Sequence, residues 1–203
     1  MLKHLKQAIL ATLVLTLLLG LGYPLAMTKL ADLLFPYQAH GSLLRDGDRV
    51  IGSELIGQNF TSAKYFHGRP SATTDADPSD ASKTIALPYN AASSSGSNAA
   101  PSSKALISDV EARITALKEE NPDALGPIPV DLVTTSASGL DPHISVAAAL
   151  YQAPRVAAAR GLSAAEVAKM VQLYTEGRTF GLLGEPRVNV LRLNLGLDAR
   201  QAR

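Results

Sequence analysis

The sequence predicts an α+β protein: a single N-terminal transmembrane helix followed by one mixed α/β soluble domain with a long Ser-rich loop. Three observations predict it. Residues 8–26 form an apolar run without a charge. Beyond them, apolar residues at helical spacing alternate with short β-branched runs and turn signals. Residues 73–103 are rich in Ser, Ala, Asp and Pro and show neither period.

The first element runs from Ala8 to Ala26. At about 1.5 Å per residue its length matches a hydrocarbon core of about 30 Å. Lys3, His4 and Lys6 precede it, whereas Lys29 and Asp32 follow it and cancel. The positive-inside rule then places residues 1–7 in the cytoplasm and residues 27–203 outside. A cleaved signal peptide is the alternative. The run exceeds the usual apolar core of about 7–15 residues, and Pro24-Leu25-Ala26 is a poor cleavage site, which favours a retained anchor. Thr12, Thr16 and Gly20 share one face, where small residues let another membrane helix approach. Gly22-Tyr23-Pro24 is expected to close the membrane helix, with helical spacing resuming from Met27 to Phe35.

Asp46-Gly47 between two apolar runs signals a hairpin with strands near 42–44 and 49–51. Phe60, Tyr65 and Phe66 supply aromatic core. Arg69 precedes Pro70, and its guanidinium fork suits a carboxylate or carbonyls. Residues 73–103 read as a flexible surface loop. Within it Ser95-Gly96-Ser97-Asn98 forms a turn that would expose N–H groups to a phosphate, although the glycine-lysine pattern of a phosphate loop is missing.

From Ser103 to Glu120, Ile107, Val110, Ile114 and Leu117 recur at helical spacing, and Asn121-Pro122 ends the helix. Pro154 is expected to split residues 146–160 into two short helices, the second capped by Gly161. Ser163 and Glu166 form a capping box for a helix to about Tyr174. Residues 182–197, with Val188 and Val190 alternating, read as a final strand and turn.

The densest chemistry lies in residues 131–145, D-L-V-T-T-S-A-S-G-L-D-P-H-I-S. Val130 to Thr135 suits a buried strand. Ser136, Ala137, Ser138 and Gly139 then make a tight loop, and Gly139 permits positive φ. Asp141-Pro142 reads as a helix start, with Ser145 a second start one turn later. One reading is catalytic: Ser136 or Ser138 as nucleophile, His143 as base, Asp131 or Asp141 as orienter, giving a membrane-anchored serine hydrolase. The other is a structural corner whose polar side chains satisfy backbone groups. The latter is favoured, because no G-x-S-x-G elbow is present and triads are made by geometry rather than adjacency.

Composition narrows the classes. There is no Cys among 203 residues, so there is no disulfide framework or thiolate metal site, and no carboxylate cluster marks a metal site. Net charge is +1 and Trp is absent, which argues against a nucleic-acid surface. From Pro142 onward four acids stand against eight bases, suiting a protein or headgroup contact.

These segments together resemble the C subunit of the prokaryotic Kdp high-affinity potassium-transporting P-type ATPase complex. The resemblance rests on the helix closure from Gly20 to Pro24, Gln58-Asn-Phe, Tyr65-Phe-x-x-Arg-Pro-Ser-Ala72 and Ser95-Gly-Ser-Asn98. It continues through Pro129-Val-Asp-Leu-Val-Thr134, Ser138-Gly-Leu-Asp-Pro-His-Ile-Ser145, Gln152-x-x-Arg-Val-Ala157 and Gly184-Glu-Pro-x-Val-Asn-Val-Leu191. Ala137 stands where the family usually has glycine, and Val146 where a proline commonly follows the serine.

The resemblance implies an accessory subunit in the cytoplasmic membrane, without catalytic residues of its own. The implied partners are a channel-like potassium-translocating subunit, a P-type ATP-hydrolysing subunit, a small single-helix subunit and the lipid bilayer. It implies support of assembly, with K+ as transported ion and ATP acting through the pump subunit, whose ATP affinity the family is described as raising. Ser136, Ser138, Gly139, Asp141, Pro142 and His143 are then the interface corner, with Arg69 and Asn189 as buried polar supports. Oxygens of the 136–140 loop are also candidates to face a permeating ion. A plain substrate-binding module is the remaining alternative.

Overall fold

A computed structural model describes residues 2–201. Its backbone divides into two compact units at Ser53/Glu54.

The first unit opens with α1, Leu2–Leu17, which passes through a π-helical turn, Leu18–Gly22, into α2, Tyr23–Leu34. The helix therefore does not close at Gly22-Tyr23-Pro24. The wider turn, with Tyr23 N–H bonded to Leu18 O, takes up the backbone mismatch ahead of Pro24, which has no N–H to give. Among the described residues this is the one helix long and apolar enough to cross a membrane, covering Lys3–Leu34, and its apolar stretch is wholly exposed. A short turn, α3, Pro36–Ala39, follows. The hairpin β1, Leu43–Asp46, and β2, Arg49–Ser53, then forms at Asp46-Gly47 as the sequence predicts, with Gly47 at φ +57°.

The second unit holds the core. A hairpin of β3, Thr74–Asp77, and β4, Asp80–Ala86, occupies part of the segment expected to lack regular structure. Its turn is held by side chains: Asp77 Oδ1 accepts from Ser79 N–H (2.8 Å) and Oγ–H (2.6 Å). The strands carry almost no buried apolar face, so no period-2 pattern announced them. Next comes α4, Lys104–Glu120, ending at Asn121 as the sequence predicts.

Residues 130–132 form a 3-10 turn instead of a strand. Val130 O accepts from Val133 N–H, Thr134 N–H and Thr134 Oγ–H, which closes the segment on itself and removes it from any ladder. The strand lies later: β5, His143–Ser145, where a helix start at Asp141-Pro142 was expected. Helix α5, Val146–Arg160, takes the second start, with Ser145 Oγ accepting from Ala148 N–H at 3.0 Å.

Pro154 does not split α5. Its missing N–H removes one bond. Buried Ala148, Ala149, Tyr151 and Ala153 before it, and Val156 and Ala157 after it, keep both halves seated in the core. That packing outweighs a penalty of about 3 kcal/mol. Gly161 closes α5 at φ +66°, and the capping box of Ser163 and Glu166 opens α6, Ala164–Leu173.

The last sheet has the order β5–β7–β6, all antiparallel, from β6, Thr175–Glu176, and β7, Arg187–Asn189. Of residues 182–197, expected as a strand and turn, β7 is the strand, and from Val190 onward the chain is instead a helix: α7, Val190–Gln201. Asn189 ends the strand and caps the helix, its Oδ1 accepting from Arg192 N–H at 3.1 Å. Val190, Leu193 and Leu197 are buried one helical face at a time, a period that the Val188/Val190 alternation masked. These elements enclose Phe66, which is fully buried; Phe60 packs against the same core and meets Tyr65 in a tilted ring contact with centroids 5.2 Å apart.

Candidate functional site

Side chains of α5 and α7 fix the segment that carries Arg69. Gln152, fully buried, accepts from His67 N–H (2.9 Å) and donates to His67 O (3.1 Å). Asn194 does the same for Phe66, at 2.9 and 3.0 Å. Arg155 Nη1 donates to Ala63 O and Tyr65 O. An irregular backbone beside the core thereby finds partners for groups that would otherwise be buried unpaired.

Arg69 then reaches the corner as its fork predicts. Nη1 lies 3.3 Å from Asp141 Oδ2, and Nη2 donates to Thr135 O at 3.2 Å and Thr134 O at 3.5 Å. Asp141 Oδ1 also accepts from His143 N–H at 3.0 Å, an Asx turn that feeds β5 rather than a helix. Burial raises the Asp141 pKa, but the ring and backbone N–H of His143 and the Arg69 charge outweigh it, and the carboxyl sits below its ordinary value. Asp131 holds the other end of β5, its carboxylate accepting from Ser145 N–H (2.7 Å) and Oγ–H (3.1 Å).

The structure joins the two loops that the sequence singled out. Ser95 N–H and Ser94 Oγ–H both donate to Ser138 O at 3.0 Å. Gly96 lies so close to Ala137 that a Cβ would come within 2.7 Å of Ala137 O. Gly139, at φ +67°, sits against Thr73 and Ser95 O. Ala137 keeps negative φ, so the turn is made without glycine there, and Val146 occupies the first helical position, where proline is favoured.

Four carbonyl oxygens of this loop accept hydrogen bonds. Ser136 O accepts from Gly139 N–H, Gly139 O from Ser71 Oγ–H, and Leu140 O from Gly57 N–H. With Ser138 O bonded twice, they are engaged by the protein rather than arrayed for an ion. Among the described residues no group of three or more His, Cys, Asp or Glu could hold a metal. In the Ser95–Asn98 turn, Ser95 N–H is engaged by Ser138 O, and Asn98 Nδ2 donates to Gly96 O at 3.2 Å.

A triad is not assembled. His143 Nδ1 lies 3.6 Å from Asp141 Oδ1 and Nε2 lies 3.8 Å from Glu176 Oε2, so both ring nitrogens face carboxylates. Ser138 Oγ accepts from Leu140 N–H at 3.1 Å. Ser136 is buried. Glu176 continues outward to Arg187 (3.1 Å) and Arg192 (3.9 Å), and Arg192 pairs with Glu54. Asn189, the second expected support, donates from Nδ2 to Glu54 O at 2.8 Å.

Tyr89 is the residue that sequence reasoning missed. It stands at φ +61°, its hydroxyl donates to Arg69 O at 2.7 Å, and its N–H donates to Ser71 Oγ at 3.0 Å. Its ring fills the space over Gly57 and Gly68, where any Cβ would collide with it. Burial, with the Asp141 charge beside it, pushes its pKa up to about 12. Gly57 before Gln58 and Gly68 before Arg69 were the available sign that something large approaches there.

The result is a braced polar corner with an open depression of about 510 Å³, lined by Leu55, Ala137, Ser138, Leu140, Asp141 and Pro142. Fold and site define a class: a protein with one apolar helix of membrane-crossing length and a separate soluble α+β unit with a braced surface corner. The chain belongs to the KdpC family, the c chain of K+-transporting ATPases, whose family model matches residues 5–199. It is 62% identical over 199 residues to the potassium-transporting ATPase KdpC subunit of Rhodopseudomonas palustris strain BisB18, covering 98% of this chain and 99% of the relative. Identity is 58% to the KdpC subunit of Methylobacterium nodulans, over 98% of each chain. It is 57% to that of R. palustris strain TIE-1, over the whole of both.

Proposed function

We propose that this chain is the anchored accessory subunit of a potassium-importing ATPase. In this reading the apolar helix crosses the cytoplasmic membrane with its N-terminus inside. The soluble unit lies outside and docks its corner on the channel-like subunit. The pump subunit and the small single-helix subunit complete the assembly. The observation that carries the reading is the braced corner. Four separate stretches, around Gly57, Arg69, Tyr89 and Ser138, are tied together by close packing and by part-buried and exposed hydrogen bonds that hold one small exposed loop. Preorganisation of this kind lowers the cost of binding a protein surface.

ATP stands on the far side of the membrane from such a domain. Its influence on ATP affinity then passes through the membrane helices, as a coupling between conformational states. The test is Ala137→Trp, which adds bulk at an exposed position of the depression. The subunit should fold with an unchanged Tm and fail to co-purify with the larger subunits. Undiminished co-purification, with normal potassium-stimulated ATPase activity, would exclude docking through the corner.

A further inference from the structure

The loop between β6 and β7 carries a second feature. Thr179 and Leu183 exchange both backbone hydrogen bonds at 2.9 Å, and Gly181 N–H and Leu182 N–H fold back on Arg178 O and Thr179 O. This tight turn holds Phe180 at φ +55°, with Gly181 at +73°. A bulky aromatic in the left-handed region is strained, and such strain persists where surroundings impose it, often at functional sites. Here it accompanies exposure rather than burial: Phe180 is 90% exposed, Leu182 79% and Leu183 63%. Three large apolar side chains are thus displayed on an ordered turn that gains nothing from them within the unit.

We infer that the Phe180–Leu183 tip is an anchor that inserts into an apolar pocket on the outer face of the channel-like subunit on which the corner docks. The inference rests on the corner-docking reading and extends it. The descending arm of the loop, Glu185 to Arg187, lines one cavity of about 590 Å³ together with Arg69, Asp141 and His143. The base of the loop that carries the tip therefore borders the braced corner, and one partner surface can meet both.

A protein pocket is favoured over lipid for two reasons. Insertion into a bilayer does not call for a fixed turn, whereas a shaped pocket rewards one, and central aromatic anchors dominate such interfaces. The arms of the loop are also charge-neutral: Arg178 pairs with Glu185 at 2.6 Å and Arg187 with Glu176 at 3.1 Å, which leaves no free cation there to draw it to anionic headgroups.

The test uses the full chain in the assembled complex, with p-benzoylphenylalanine in place of Phe180, or separately of Leu55, a large exposed side chain of the corner depression, followed by irradiation. Position 180 should cross-link to the channel-like subunit, and adducts with the pump subunit alone overturn the inference. Cross-linking from 55 but not from 180 overturns the tip anchor and leaves corner docking standing. Adducts of 180 with lipid alone overturn it in favour of a bilayer contact. Silence at both positions overturns the two readings together. Phe180→Asn supplies the second arm, because asparagine tolerates positive φ and makes no apolar anchor. Its Tm should equal or exceed that of the parent, while affinity for the remaining subunits should fall by about tenfold or more. Unchanged affinity overturns the inference.

Discussion

Arg69 and Asp141 are 72 residues apart in the chain and 3.3 Å apart in the corner, and the same guanidinium reaches two backbone carbonyls at Thr134 and Thr135. One side chain thereby ties three points of the corner to the Gly68-Arg-Pro segment. Both partners are mostly shielded from water, so removal of the cation leaves a carboxylate without its counter-charge. Arg69→Ala should lower full-chain stability by about 2–3 kcal/mol. Arg69→Lys should recover only part of it, since a single ammonium cannot span carboxylate and carbonyls at once. Urea unfolding of the two variants, followed by circular dichroism, checks the order.

The acid limb of stability should fall in two steps. Burial and the Arg155 charge hold the His67 imidazole below its ordinary value. The unfolded chain therefore takes up that proton first, and stability declines as pH falls below about 6.5. Asp141 is held below its ordinary value too, so its contribution is present above about pH 4 and is lost as pH drops through the folded value. His67→Gln should remove the first step and Asp141→Asn the second. Thermal melts from pH 7.5 to 3 would show whether either variant leaves its step in place.

Gly68→Ala brings a Cβ against the Tyr89 hydroxyl, which must move and give up its bond to Arg69 O. A cost of about 1–3 kcal/mol is expected. In the Tyr89→Phe background the same change should cost clearly less, because the obstructing atom is gone. At Gly57 the Tyr89 ring and Asp141 O (2.8 Å) both obstruct, so Tyr89→Phe should not rescue Gly57→Ala. A double-mutant cycle measures both couplings.

Asn189 serves strand, helix and loop together, through Arg192 N–H and Glu54 O. Asn189→Asp keeps the cap acceptor and loses the donor, while Asn189→Ala loses both. The alanine variant should be less stable by about 1–2 kcal/mol from the cap alone, with the aspartate variant between it and the parent. Equal stabilities of the two variants would remove the cap from the account.

The legible parts of this fold are those with local chemistry. Asp46-Gly47, Ser163/Glu166, Gly161 and the stripe from Ile107 to Leu117 each satisfy backbone groups or a face within a few residues, and each appears where the sequence places it. The illegible parts depend on distant partners. Helix α5 survives Pro154 because the core holds it, and the 3-10 turn at Val130 replaces a strand because Asp131 is engaged fourteen residues away by Ser145. The polar hairpin Thr74–Ala86 has no buried face to reveal it. At the corner, Arg69 with a carboxylate and carbonyls was readable from its fork chemistry. The meeting of Ser94 and Ser95 with Ser138, and the Tyr89 wedge over two glycines, were not, since nothing in either loop encodes the other.

The account's central claim is that the braced corner works on the side of the membrane away from ATP. With no native Cys, a single Ser97→Cys places one thiol at an exposed point of the loop beside the corner. Intact spheroplasts would be treated with a membrane-impermeant maleimide, with lysed cells as control. Full labelling without lysis is the predicted result, and it makes any effect on ATP affinity indirect. Labelling only after lysis would contradict the account and place the corner where it can meet the nucleotide-binding subunit itself.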